Sequence, residues 1–222
     1  MMPKHYWLTA VALLALGSPV RSAHAEQFEL TVGGGVRVAD VVETAAVDDD
    51  GTFSAGTLSA GARLPIAPWG LAVWTTLEWE NATLQSTVFG NFDTELASDT
   101  IRAALRVRGD LVGRVGWFGR ALAGYQTAEL ELDVGGSNAV RDRAHGFALG
   151  IGAGFEVHAL TTPYADLRLR LGIDYTVAPA LEFDASSQGE SGDEILIDSD
   201  SAALGRIDLS GPLAYGRLVV AF

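Results

Sequence analysis

The chain has 222 residues, 48% of them hydrophobic and only 19% charged, with no cysteine and a formal net charge of −13. Those figures exclude a disordered chain, a disulfide scaffold, a Cys-ligated metal protein and a basic nucleic-acid binder. The length fits one domain, or at most two small ones.

The first segment reads as an address. Met1 to Tyr6 carries Lys4, the only lysine, and Trp7 to Leu16 is a short apolar run. Gly17 and Pro19 break that run, and Ala23-His24-Ala25 has the small-x-small form of a cleavage site. A charged head, a greasy middle and a cut site predict a secretory signal peptide over residues 1–25, leaving 26–222 as the barrel domain argued below. The apolar run is too short to cross ~30 Å of hydrocarbon as a helix. With no cysteine at the cut, a lipoprotein anchor is not expected.

From there the pattern alternates with period two, the signature of strands with unlike faces. Phe28, Leu30, Val32, Val36 and Val38 oppose Glu29, Thr31 and Arg37. A weaker strand follows over roughly Thr52–Leu64. Leu71, Val73, Leu77 and Trp79 oppose Thr76, Glu78 and Glu80, and Ile101, Leu105 and Val107 oppose Arg102, Arg106 and Arg108. A second weaker strand covers Val115–Leu130. Phe147, Leu149, Ile151, Phe155 and Val157 oppose Gly146, Gly150, Gly152, Gly154 and Glu156; Leu167, Leu169, Leu171, Ile173, Tyr175 and Val177 oppose Asp166, Arg168, Arg170 and Asp174. A last strand ends at Phe222. That makes eight strands, several reaching the ~9–11 residues that a tilted strand needs to cross a membrane.

A secreted β-sandwich or lipocalin-like cup also alternates. Three features favour a transmembrane barrel. Glycines crowd the polar face, where a narrow lumen would use their lack of bulk. Aromatics on the greasy face gather near strand ends, with Phe28, Trp117, Phe155 and Phe222 at one end and Trp79, Tyr125, Phe147 and Tyr175 at the other, as interfacial girdles do. Finally, the gaps 65–70, 109–114 and 159–163 are short while 40–51, 81–98, 131–143 and 178–204 are long, the asymmetry of periplasmic turns and surface loops. The predicted fold is therefore all-β, a closed antiparallel up-and-down transmembrane barrel of eight strands.

The chain thus resembles the small eight-stranded outer-membrane barrels of the OmpA, OmpX and OmpW type. The resemblance is architectural, and its most specific part is the terminal Phe222 preceded by Val220 and Leu218. In such families that ending is the signal read by the barrel-assembly machinery. The resemblance implies a bacterial outer-membrane location, lipid contact and a monomer, with no room after Phe222 for the peptidoglycan-binding domain of full-length OmpA-type proteins. It also frames two functional expectations: a structural or interaction role at the cell surface, and OmpW-like transport of small hydrophobic molecules.

Charge supports the same parity. The four long gaps hold most of the acids, including Asp48, Asp49, Asp50, Asp198 and Asp200, so the remainder of the barrel is expected to be neutral. Ion pairs inside it would be built from Arg37, Arg102, Arg106, Arg108, Arg120, Arg168, Arg170 and Arg217 with Glu29, Glu78, Glu80, Glu156, Asp166 and Asp174. Turning that face to lipid would cost about 2–4 kcal/mol for each Arg near the midplane. An eight-stranded lumen is just wide enough for side chains to fill, which predicts a plugged core of salt bridges. One strand breaks phase: Ile207 and Leu209 are greasy at odd positions, Leu218, Val220 and Phe222 at even ones. A bulge at Pro212, or a rise of 205–211 above the bilayer, would account for it.

Little chemistry is written in the sequence. His145, near Asp142 and Ser137, is the only candidate for a lipid-modifying hydrolase, and no nucleophile stands at a suitable spacing. No enzyme activity, cofactor or nucleic-acid partner is expected. The acidic residues Asp48, Asp49, Asp50, Asp198 and Asp200 are weak candidates for divalent cations, because they lack the D-x-D-x-D-G spacing.

Overall fold

Strands with one greasy and one charged face must all turn the same way, and closing the sheet on itself leaves no unpaired edge. The computed structural model describes residues 27–39, 41–43, 52–66, 68–88, 92–133, 139–184 and 203–222. Residues 1–25, where the sequence predicts a signal peptide, and the aspartates at 48–50, 198 and 200 lie outside them. The strands are β1 (Phe28–Val38), β2 (Val41–Glu43), β3 (Thr52–Arg63), β4 (Ala72–Val88), β5 (Phe92–Val112) and β6 (Val115–Asp133). They continue with β7 (Ala139–Thr161), β8 (Asp166–Val177), β9 (Leu181–Asp184), β10 (Ala203–Asp208) and β11 (Gly211–Ala221).

Eight of them form a closed barrel in the order β1-β11-β8-β7-β6-β5-β4-β3, every neighbour antiparallel. First and last strands seal it: the amide of Phe28 donates to the carbonyl of Phe222 at 2.9 Å, and the reverse bond has the same length. Following paired residues round the wall from Phe147 through Tyr125, Ile101, Trp79, Leu58, Val32, Leu218 and Leu169 returns to β7 at Val157, ten residues along. At about 3.3 Å per residue and about 4.8 Å between strands, this stagger gives a tilt of about 40° and a backbone radius of about 8 Å.

The long-gap expectation needs correcting. Much of 81–98 and 131–143 is strand, since β4 runs to Val88, β5 starts at Phe92, β6 reaches Asp133 and β7 starts at Ala139. Strands β4 to β7 therefore stand as a tall wall on one side of the barrel. On the other side β1, β8 and β11 stop, and the short strands β2, β9 and β10 that adjoin them form a separate sheet in the order β2-β10-β9. The joint is tied by Ser210, whose hydroxyl accepts from the Ala178 amide at 3.0 Å and donates to the Ala178 carbonyl at 3.1 Å.

Glycine in the lumen serves bulk. A Cβ on Gly33 would strike Arg217, one on Gly35 would strike Tyr215, and one on Gly154 would meet Phe118 as well as the Leu171 carbonyl. Gly56, on the outer face, has nothing within 4 Å. Gly154→Ala is expected to lower unfolding stability by about 1–3 kcal/mol through overpacking, while Gly56→Ala leaves it unchanged or slightly raised; urea titration of the refolded protein measures both.

Candidate functional site

On β8, Asp166, Arg168, Arg170 and Asp174 are buried while Leu169, Leu171, Ile173 and Tyr175 are exposed. The same inversion holds round the wall, so among the described residues the buried charged side chains gather in the interior. All fourteen charged residues singled out for the lumen are buried, eight arginines against six carboxylates. Where the sequence predicts a neutral interior, these fourteen residues carry a formal excess of two positive charges; Asp99 and Glu129 face outward and Asp110 lies exposed at the turn.

The network has two tiers. In the lower one, Glu29 accepts from both terminal nitrogens of Arg106 at 2.7 and 2.6 Å, and from Arg170 at 3.2 and 3.1 Å. Glu156 takes the Arg170 Nε at 2.6 Å and lies 3.4 Å from Arg108 and 3.6 Å from Arg168. Asp166 receives Arg168 at 3.1 Å and His158 Nδ1 at 2.9 Å. Because Arg108 can only donate to His158 Nε2, the proton of that imidazole sits on Nδ1.

In the upper tier Glu78 is the hub, shared by Arg102, Arg120 and Arg217. Arg120 also bonds Asp174 through Nε at 2.8 Å. Glu80 holds Arg37 at 2.6 Å and shares Arg102. Arg37 in turn reaches the Leu209 carbonyl at 3.3 Å, linking the barrel to the joint above it.

Sequence reasoning missed two parts of this interior. The first is aromatic. The Arg217 guanidinium lies 4.0 Å over the ring of Tyr215, Arg120 lies 4.9 Å over the same ring, Arg106 is 5.4 Å over Trp74 and Arg170 is 5.6 Å over Phe118. These rings occupy inward parity, which was the available signal, and they face cations with the negative side of their quadrupole.

The second is an apolar layer above the charges. Phe53 of β3 and Leu84, Leu96, Leu130 and Ala144 of the tall wall pack with Leu181, Phe183, Ile207 and Leu209. A buried apolar cluster therefore lies above the charges, and the salt bridges of the lumen lie below it. The phase break near Pro212 has the same origin. The β11–β8 ladder runs from Gly211 to Ala221 with no shift, so the bulge is not there. Ile207, Leu209, Leu213 and Tyr215 are all buried at odd positions; what changes is the medium outside. The unbroken pairing of Pro212 with Tyr175 also closes the wall on that side.

Outside, Trp79, Ile101, Tyr125 and Phe147 pair in one row of apolar side chains. The next outward row is polar: Asn81, Asp99, Thr127 and His145. Trp79 Nε1 and Asn81 Nδ2 both donate to Asp99 Oδ1 at 3.1 Å. Higher still, Arg143 bonds Glu129 at 2.6 Å, which holds its guanidinium above its ordinary value. His145 stacks beside Tyr125 on this outer face, whereas Asp142 stands at the inward parity of β7. Ser137 lies outside the described residues. Of the remaining girdle residues, Phe28, Phe155 and Tyr175 are exposed, Trp117 and Phe222 half-buried. Phe28 and Phe222 lie 6.4 Å apart, and Trp117 pairs with Phe155. Ten residues of β7, from Phe147 to Val157, separate the upper level from the lower, about 25 Å at this tilt. A belt of that height exposing leucine, isoleucine and phenylalanine is stable only against an apolar solvent.

Among the described residues no three His, Cys, Asp or Glu side chains converge as metal ligands. The family model for the outer membrane protein beta-barrel domain matches residues 8–194. No curated protein is similar enough in sequence to count as a relative. Among solved structures the chain is similar to the Neisserial surface protein A, with a TM-score of 0.54 and 12% identity, covering 90% of this chain and 99% of that one. It is also similar to Ail, the attachment invasion locus protein of Yersinia pestis, with a TM-score of 0.47, 12% identity and 89% and 99% coverage.

Proposed function

The chain belongs to the outer-membrane β-barrel family and resides in the bacterial outer membrane, and from that premise we propose that it is a non-conducting surface protein whose barrel anchors an interaction platform. Its lower part is a rigid stake, and its upper part is a water-exposed β-structure carried on the tall hairpins β4–β5 and β6–β7. That upper part has the polarity of a soluble protein, with Asp99, Glu129 and Arg143 outward and Leu84, Leu96 and Leu130 inward. A surface held at fixed height on a rigid support suits recognition of a macromolecular partner. His145 has no catalytic part in this reading.

One observation carries the proposal: the lumen holds buried ionic side chains, with a buried apolar cluster including Leu181, Phe183 and Ile207 above them. An ion crossing it would have to break buried Arg–carboxylate pairs and shed its water among those apolar groups. In planar bilayers the refolded protein is expected to give no steady single-channel conductance. Persistent unitary currents would overturn the reading and favour transport.

A further inference from the structure

At the periplasmic rim the β5–β6 turn and the end of β7 enclose an open cavity of about 400 Å³, lined by Asp110, Gly113, Arg114, His158, Leu160 and Thr161 among others. Its shape is built. A register shift between His158 and Leu160 bulges β7 there, and the His158 amide donates to the Arg114 carbonyl at 2.9 Å, tying the turn to the bulged strand. Gly113, at φ 59°, leaves open space where a Cβ would stand. The Asp110 carboxylate is 90% exposed, with Arg108 3.9 Å away on its inner side, and the Arg114 side chain is exposed too, so the two ends of one turn offer opposite charges to the cavity.

The surroundings are unusual for a turn. Short turns normally carry Gly, Asn, Asp or Ser, yet Leu111, Val112 and Leu160 are 56%, 76% and 56% exposed. They carry the apolar belt past its lower aromatic level, down to where the headgroups of the periplasmic leaflet lie.

We propose that this cavity binds the headgroup of a zwitterionic aminophospholipid, with the phosphate on Arg114, the ammonium on Asp110 and the first acyl carbons against Leu111, Val112 and Leu160. A volume of this size falls in the range of small-ligand sites. An arginine alone would accept any phosphate; the adjacent carboxylate is what disfavours an anionic headgroup and favours one that carries its own cation. The proposal rests on the chain being a membrane barrel and not on the lumen being closed, so the conductance result and this one fail independently.

The test is an NMR titration of the refolded protein in a non-ionic maltoside with dihexanoyl phosphatidylethanolamine, dihexanoyl phosphatidylglycerol and glycerophosphoethanolamine. Saturable shifts are expected at the amides of Gly113, Arg114, His158 and Leu160. The ethanolamine lipid should bind more tightly than the glycerol lipid by about threefold, the worth of one exposed ion pair. Asp110→Asn should equalise the two lipids, and Arg114→Gln should weaken both by about threefold or more. Both side chains are exposed, so the variants keep the barrel, which the mobility shift on heating checks. The proposal is overturned if those amides show no saturable shift, or if the wild type binds both lipids equally. Glycerophosphoethanolamine binding as tightly as the lipid would overturn the lipid assignment in favour of a free headgroup.

Discussion

Glu78→Gln is expected to destabilise the barrel by about 3–5 kcal/mol, the range for breaking a buried ion pair from one side. Glu78 is 1% exposed and compensates Arg102, Arg120 and Arg217 together. Glutamine keeps the shape and one acceptor oxygen but removes the charge, leaving three guanidinium groups in a lumen that already holds an excess of arginine. Water cannot rescue them cheaply, because the ring of Tyr215 lies against both Arg217 and Arg120. Adding Arg217→Met should recover part of the loss, since one orphaned cation disappears with its requirement for a partner. Glu95→Gln, on the exposed outer wall, serves as the control and should stay within about 0.5 kcal/mol of the parent. Urea unfolding in detergent or vesicles reads all three. A Glu78→Gln midpoint equal to the parent would mean that the lumen is wet enough to solvate its charges.

The second large effect lies on the other side of the same wall. Ile173 is 60% exposed and sits midway along the outward row of β8. Ile173→Arg should cost about 2–4 kcal/mol, the range for arginine near the midplane of a barrel. The loss should shrink toward zero for the same change at Thr127, which stands in the polar row above the belt. A soluble β-protein would show the reverse, tolerating arginine at any exposed position. The depth dependence therefore separates lipid from water as the outer solvent more sharply than either variant alone.

The charged lumen was legible because on β1, β4, β5 and β8 each ionic side chain alternates with a large apolar one, and only one assignment of faces keeps arginine out of lipid. The upper core was not legible, and β5 shows why. Its greasy positions are odd at Ile101 and Leu105 but even at Leu96, although every residue from Thr94 to Arg108 stays in register with β4. The switch occurs where the outside changes from acyl chains to water, so a reader who assumes one solvent sees a strand ending. On β4 the same change falls between Trp79 and Ala82, and on β6 between Tyr125 and Ala128. The joint at Leu209–Ser210 could not be placed from spacing either, because it depends on Ser210 meeting Ala178 across the sheet. The aromatic partners of the arginines were visible only as parity. Trp74, Phe118 and Tyr215 look like misplaced greasy residues until the cations beside them are known.

The most direct test of inverted polarity is accessibility along one strand. Nitroxide labels placed singly at Leu169, Leu171 and Ile173, and at Thr127 for reference, can be relaxed by oxygen, which concentrates in acyl chains, or by a polar nickel chelate, which stays in water. The three β8 labels should relax strongly with oxygen and weakly with nickel, with Thr127 shifted toward nickel. Labels at Leu169 and Leu171 that are shielded from oxygen, or relaxed chiefly by nickel, would mean that these leucines face a protein core or water, and the barrel described here would be wrong.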